Sequence, residues 1–368
     1  MKIKVGVASL RNYKRMPYTL WYALGELVDN SIQAYLDEKK DMDKIFSAEG
    51  KKLKISINYD KHTDSLTISD TSTGITEKRL EQAMEIGGDM ARPMGDESLG
   101  EFNVGLKSSA IWLCDLWTIT TKRFDEHKET TVMVDNDNVF ANNDELEVDT
   151  KDVPTDRHYT KITFEKLSHK FDKRHLDKTK MFLASMYRNY LNKSVYISFN
   201  DDDLEWEPFE LHNNPKTNKP FKWVIGPGML GGTEQLEVSG WIGILKMGAK
   251  KGSSAANAGI SVMRRNRMII GYPDAWRPKN IFASGMGSTI NQRIVGEIVF
   301  NDAKVSHTKD AISPEHMEIM DVYLGDFAKQ NGIAKEAQKI QAEANKPTKS
   351  ESDEVTESIG EVMDESDI

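Results

Sequence analysis

Residues 20–34 predict an amphipathic helix whose polar face carries acidic and amide side chains. Apolar side chains recur at a helical period, at Leu20, Leu24, Leu27 and Val28. Glu26, Asn30 and Gln33 stand at i, i+4 and i+7, which places them together on another face. One face can therefore pack against a core while the other meets a ligand. We expect this helix to form a wall of a binding site.

Two glycine-bearing segments follow this helix in the chain. Asp70 to Gly74 comes directly after a predicted strand that contains Leu66 and Ile68. The second segment precedes a short helix predicted over 104–113, so backbone N–H groups gather at a helix N-terminus, where they attract phosphate. The residues that we expect to bind phosphates there are Gly100, Asn103, Val104, Gly105, Leu106 and Lys107.

Together the three segments hold the groups that hydrolysis of a phosphoanhydride requires. The reaction needs a cation beside the phosphates, hydrogen-bond donors, and a group that orients or deprotonates water. Glu26 is the candidate general base, and Asn30, one turn later, is the candidate magnesium ligand. Asp70 can accept a hydrogen bond from the 6-amino group of adenine, and Gly74 lets the backbone approach the purine closely. The pattern predicts a site for ATP and Mg²⁺.

Each segment taken alone also has an ordinary structural explanation. The Glu26 to Asn30 pattern also fits a solvated helix face, and Asp70 to Gly74 also fits a simple turn. The Gly100 to Lys107 segment also fits a flexible loop before a helix. No G-x-x-x-x-G-K-[ST] run occurs, so a P-loop fold is unsupported.

Apolar periodicity divides the chain into two α+β regions. Leu53, Ile55, Ile57 and Tyr59 alternate as in a half-buried strand, whereas 40–52 reads as a charged connection and 135–157 as a polar loop. We predict a first domain over 1–170, a connecting helix over 171–193 and a second domain over 194–320. A C-terminal helix over 321–345 and a disordered acidic tail over 346–368 complete the prediction.

Composition excludes several classes of protein. The net charge is −9, but eight acidic residues after Lys349 carry most of it and leave the rest of the chain at −1. Cys114 is the only cysteine, which excludes an intrachain disulfide and a cysteine zinc cluster, and its apolar neighbours predict a packed thiol. The histidines show no metal-ligand spacing. The early apolar stretch is too short for a signal or a membrane span, so we expect a cytoplasmic protein.

In their order along the chain, the three segments resemble the GHKL ATPases, a superfamily that includes gyrase B, MutL, heat-shock chaperones and histidine kinases. Glu26 and Asn30 match the N box, Asp70 and Gly74 the first glycine box, and 100–107 the second. Thr160 matches the threonine that supports the adenine-binding aspartate. The chain departs from the pattern where it carries Ser72, Asn103 and Tyr159 in place of the usual glycines.

Within this superfamily the chain looks most like the MORC-type ATPases. Gly105 to Ser108 reads Gly-Leu-Lys-Ser, as is common there, and 259–269 resembles a strand pair of the transducer domain. Lys309, in the segment His307 to Asp310, resembles the lysine that reaches back to the γ-phosphate and is carried over as a catalytic residue. The resemblance implies a Bergerat α/β sandwich followed by a ribosomal-protein-like α+β transducer domain.

The resemblance implies a magnesium-dependent ATPase in which ATP closes a lid over 86–104 and favours a homodimer. DNA is the expected partner through a basic patch, although a charged hairpin explains part of the same cluster. The residues of the predicted patch are Lys246, Lys250, Lys251, Arg264, Arg265 and Arg267. The alternative is a module that binds nucleotide without hydrolysing it, or a chaperone-like ATPase, acting on a protein partner.

Overall fold

The computed structural model describes residues 7–84, 99, 105–141, 145–191, 193–230, 236–282, 289–306 and 308–344. Within these ranges two mixed α+β units share the chain, which confirms the predicted α+β class. No helix in the described part of the chain is long and apolar enough to cross a membrane.

The first unit is built on an eight-stranded sheet. Its strands are β1 Leu53–Asp60, β2 Ser65–Asp70, β3 Cys114–Lys122, β4 Lys128–Asp135, β5 Glu147–Asp152, β6 Tyr159–Leu167, β7 Val195–Phe199 and β8 Asp202–Asp203. Their order across the sheet is β5-β4-β3-β6-β2-β1-β7-β8, and only the β1–β7 pair among these is parallel. The β2–β6 register places Asp70 opposite Thr160, so two candidate residues meet on neighbouring strands.

Helices pack against this sheet and form the core with it. They are α1 Leu20–Asp37, α2 Lys39–Glu49, α3 Glu77–Met84, α4 Gly105–Leu113, α5 Asn136–Phe140 and α6 Lys173–Met186, preceded by a 3₁₀ helix over Val7–Arg15. The predicted apolar face of α1 is buried at Leu20, Leu24, Leu27 and Val28, and α1 contacts α4, α6 and β1. At the start of α3 the Thr76 hydroxyl accepts a hydrogen bond from the Arg79 N–H at 3.2 Å.

Two segments predicted as irregular carry regular structure. Most of the charged connection is helix α2, because Met42 and Phe46 stand at i and i+4 and are buried, while Gly50 ends the helix in the left-handed conformation. The polar loop contains helix α5 and strand β5. Every residue of β5 is exposed, so backbone pairing with β4 forms this edge strand without an apolar pattern.

The second unit is a five-stranded sheet with helices beside it. Its strands are β9 Lys222–Leu230, β10 Leu236–Ile244, β11 Gly259–Arg264, β12 Arg267–Ile270 and β13 Ile294–Val299, in the order β12-β11-β13-β10-β9. The accompanying helices are α7 Lys279–Phe282, α8 Thr289–Arg293, α9 Pro314–Gln330 and α10 Ile333–Ala344. Its buried apolar core joins sheet residues such as Ile260 and Ile298 to Met320 and Leu324 of α9.

The observed sheets correct the predicted boundaries. Strands β7 and β8 lie inside the predicted second domain, yet they extend the first sheet, because β7 pairs in parallel with β1. The connecting helix is α6 and packs on α1 as part of the first unit. Over 314–344, at the end of the last range that the structure describes, the chain forms two helices, because Gly332 adopts a left-handed conformation between α9 and α10. The predicted acidic tail lies outside the described residues.

Candidate functional site

Glu26 lies buried in α1 where two other parts of the chain converge on it. Its side chain is only 7% exposed, and Lys309 Nζ, from the loop before α9, lies 3.1 Å from its Oε2. The first residue of α4, Gly105, packs so closely that a Cβ there would overlap Glu26 Oε2. The candidate base therefore faces both the helix N-terminus predicted to bind phosphate and the predicted γ-phosphate lysine.

Asp29, one turn after Glu26, joins the same cluster. Lys309 Nζ donates to Asp29 Oδ2 at 2.9 Å, and Arg267 Nε donates to Asp29 Oδ1 at 2.9 Å. The hydroxyl of Tyr187 lies 2.7 Å from both Asp29 Oδ1 and the Gly25 carbonyl oxygen. Two carboxylates and two cations thus share one buried volume, in which each charge has an opposite partner.

Burial is the strongest influence on the ionisation of Glu26. It raises the pKa of Glu26 above its usual value, and the neighbouring Lys309 charge opposes this rise without cancelling it. Oε1 of Glu26 is buried and has no hydrogen-bond partner among the described residues. A carboxylate with a raised pKa and an unsatisfied oxygen has the properties of a general base that accepts a proton from water.

The amide side chains of α1 have different environments. Asn30 is exposed, one helical turn from Glu26, as the periodicity predicts. Gln33 is buried and its Oε1 accepts a hydrogen bond from the Leu99 backbone N–H at 2.6 Å, while its Nε2 donates to Asp37. Gln33 therefore ties Leu99 to α1, and Asn30 has the exposure that a magnesium ligand on this face requires.

Asp70 ends β2 with its carboxylate buried and hydrogen-bonded. The Ser31 hydroxyl donates to Oδ2 at 2.6 Å, and the Ser72 backbone N–H donates to Oδ1 at 2.9 Å. Burial raises the pKa of Asp70, and hydrogen bonds led by that of Ser31 oppose the rise. The Thr160 hydroxyl, on β6 beside β2, lies 3.1 Å from that of Thr121 on the next strand, β3. These contacts orient the carboxylate expected to accept from adenine.

Gly74 packs against the end of β3, and its predicted approach to the purine stays a prediction. Its φ is +70°, and a Cβ there would overlap the carbonyl oxygen of Lys122 at the end of β3. The close approach that requires glycine is therefore to the Lys122 backbone. The next residue, Ile75, donates its N–H to Thr121 Oγ1 at 2.8 Å, which holds the glycine loop against β3.

The second glycine segment is described only in part. Gly105, Leu106 and Lys107 form the first turn of α4, in agreement with the predicted helix start. Gly100, Asn103 and Val104 lie outside the described residues, as do His307 and the predicted lid apart from Leu99.

The predicted basic patch does not form as one surface. Arg267 is 1% exposed and bonded to Asp29, so it belongs to the buried cluster beside Glu26. Arg264 is also buried, and its Nε donates to the Asn301 carbonyl oxygen at 3.1 Å. The lysines are paired with acidic or carbonyl groups, namely Lys246 with Glu210, Lys250 with Glu207, and Lys251 with the Glu207 carbonyl oxygen.

Sequence reasoning missed three residues of the site, namely Asp29, Ser31 and Tyr187. Asp29 stands at i+3 from Glu26, so the helical period that grouped Glu26 with Asn30 also carried a signal for it. Ser31 contacts Asp70 across 39 residues of chain, and Tyr187 contacts Asp29 across 158. No local pattern indicates contacts at such separations.

Residues 18–167 match the family model of the histidine kinase-, DNA gyrase B- and HSP90-like ATPases. The match begins two residues before α1 and ends at the last residue of β6, so it contains Glu26, Asn30 and Asp70. No curated protein sequence matches the chain. The match supports the GHKL superfamily and an ATP-binding ATPase domain for this region, whereas Lys309 and the second sheet lie beyond it.

Proposed function

We propose that residues 18–167 act as a GHKL ATPase domain that binds ATP with Mg²⁺ and hydrolyses it with Glu26 as the general base. The observation that carries the proposal is the meeting of Glu26, the α4 N-terminus at Gly105 and Lys309 in one place. A base, phosphate-binding N–H groups and a cation are the three requirements of phosphoanhydride hydrolysis.

The other roles follow from position and donor chemistry. Asp70 would accept from the adenine amino group, with Ser31 and Thr160 supporting it. Asn30 would ligate Mg²⁺ through its side-chain oxygen, a ligand type that this ion prefers. The segment from Gly100 to Lys107 would bind the phosphates through backbone N–H groups and the Lys107 charge. Mg²⁺ would supply neutralisation of the charge that develops on the phosphates.

Turnover in the presence of ATP tests this proposal directly. Hydrolysis measured with Mg²⁺ should exceed background and should stop on chelation, and calorimetry with ATP and Mg²⁺ should detect binding. Absence of heat from ATP and Mg²⁺ at high protein concentration would contradict the site itself. Binding without turnover would favour the second candidate, a nucleotide-dependent interaction module or chaperone-like protein, which the engagement of Glu26 by Lys309 supports.

We further propose that ATP acts as a conformational ligand, in the manner of MORC-type relatives. The second sheet would serve as the transducer domain, and Lys309 would sense the γ-phosphate from it. Because that contact exists only before hydrolysis, turnover would release the closed, dimeric state. Gel filtration with a non-hydrolysable ATP analogue should show a dimer that ADP does not produce, and an unchanged monomer would contradict the clamp. A cytoplasmic location stays a prediction.

DNA remains the proposed partner, through a smaller set of side chains than the sequence implied. Lys246, Lys250 and Arg265 retain exposed or partly exposed positions, whereas Arg267 is excluded by its burial. Pairing with Glu207 and Glu210 weakens the field of this surface. Salt-dependent duplex binding that is lost on Lys246→Glu with Lys250→Glu would support DNA through this surface, and absence of salt-dependent duplex binding by the wild type would favour a protein partner.

A further inference from the structure

Arg267 links the second sheet to the candidate catalytic helix. It is the first residue of β12 and lies fully buried, 238 positions from its partner Asp29 in the chain. Its Nε donates to Asp29 Oδ1 at 2.9 Å, and its Nη1 donates to the backbone carbonyl oxygen of Lys309 at 3.2 Å. One guanidinium group thus contacts both the α1 carboxylate and the loop that carries the lysine.

The surroundings are shaped to receive this side chain. Arg265 and Asn266 both have positive φ, so the tight turn between β11 and β12 returns Arg267 toward α1. Gly25 leaves room for the guanidinium, because a Cβ at this position would lie only 3.1 Å from Arg267 Nη2. Met263 and Met268 of the same hairpin pack into the core of the first unit. The hairpin is therefore a docked part of the ATPase-like region.

Lys309 needs such support, because its backbone adopts a left-handed conformation. Its φ is +50°, a conformation that is unfavourable for a residue with a side chain unless surrounding contacts hold it. Its N–H donates to the Ser306 carbonyl oxygen at 3.0 Å, and its own carbonyl oxygen accepts from Arg267. Contacts on both sides of this residue direct the ammonium group between Glu26 and Asp29.

We propose that Arg267 is a positioning residue that holds Lys309 against the candidate base Glu26. Asp29 pairs with both Arg267 and Lys309 and so connects them. The inference rests on the proposed ATPase function for its kinetic consequence. Arg267 touches no reacting atom in this scheme. It acts because Asp29 pairs with both Arg267 and Lys309, so the guanidinium and the ammonium occupy fixed places on one carboxylate.

Replacement of Arg267 by methionine tests the proposal, with Arg277→Met as the matched control at an exposed arginine of the second unit. Arg267→Met should lower kcat by about 10²-fold through misplacement of Lys309, while the Kd for ATP stays near that of wild type, because the adenine contacts are elsewhere. Arg267→Lys keeps the positive charge but lacks the planar guanidinium that donates to two acceptors at once. It should therefore retain only part of the wild-type kcat. Arg277→Met should leave kcat unchanged.

Hydrogen exchange supplies a readout that does not depend on turnover. In Arg267→Met the amides of 308–312 should lose protection relative to wild type, and those of β1 and β2 should keep theirs. If Arg267→Met fails to fold, Asp29→Asn, which preserves side-chain shape, should give the same local loss. Unchanged kcat together with unchanged exchange in 308–312 would overturn the positioning role. Wild-type protein without turnover would refute the ATPase proposal, and the exchange measurement would still decide the role of Arg267.

Discussion

Glutamine in place of Glu26 should separate catalysis from stability. The amide has the shape of the carboxylate but cannot take a proton from water. Loss of a general base lowers kcat by about 10²–10⁴-fold, which corresponds to about 2.7–5.4 kcal/mol in the activation barrier. Binding of ATP should persist, because Asp70 and the glycine segments are unchanged.

The thermal stability of Glu26→Gln should stay the same or rise, although its activity falls. Burial raises the folded-state pKa of Glu26, so the stability linked to this group is greatest below its unfolded pKa and is lost as the pH rises through the folded pKa. A glutamine at position 26 does not ionise, so the variant does not lose this stability at neutral pH. Lys309 keeps an acceptor in Asp29 Oδ2 at 2.9 Å. Glu26→Gln should consequently melt at or above the wild-type temperature.

Steady-state ATP hydrolysis and thermal unfolding, measured on the same preparations, check both statements. Glu81→Gln, at an exposed position of α3, is the matched control and should change neither quantity. Turnover by Glu26→Gln at the wild-type rate would refute the assignment of the base. A melting temperature well below wild type would refute the electrostatic reasoning, since it would show that the ionised carboxylate stabilises the fold.

Four further outcomes follow from the structure. In denaturant titrations, Gly74→Ala should lower the free energy of unfolding by about 2–5 kcal/mol, because the new Cβ is strained and overlaps the Lys122 backbone. The control Gly50→Ala has open space around it and should lower the same free energy by about 1–2 kcal/mol. Asp70→Asn should weaken ATP binding about ten- to a hundredfold in calorimetry, by loss of a charged acceptor, and unaltered affinity would contradict the adenine contact. The pH profile of kcat should rise with ionisation of Glu26, through an apparent pKa above the ordinary glutamate value of 4.5, and an acid limb at or below that value would argue against this base. Burial raises the pKa of Cys114 to about 12, so a thiol reagent should modify it only after unfolding, and rapid modification of the native protein would disprove its burial.

Much of the first unit was predictable from local patterns. The alternation in β1 and the apolar face of α1 each depend on neighbours within a few residues, and each appears as predicted. Helix α2 and strand β5 were missed for a related reason. Helix α2 has two buried apolar residues among many charged ones, so its helical periodicity is weak. Strand β5 is exposed along its whole length, so its sequence has no apolar alternation.

The sequence by itself determined which side chains share the polar face of α1 and which strand end holds Asp70, since helical and strand periods act over a few residues. Only the tertiary structure decided that Lys309 meets Glu26 and that Arg267 is an internal partner of Asp29. These contacts join residues 238 to 283 positions apart. They form because the β11–β12 hairpin and the loop that carries Lys309 pack against helices of the first unit, where the buried charges must find opposite partners, a requirement that no local spacing encodes.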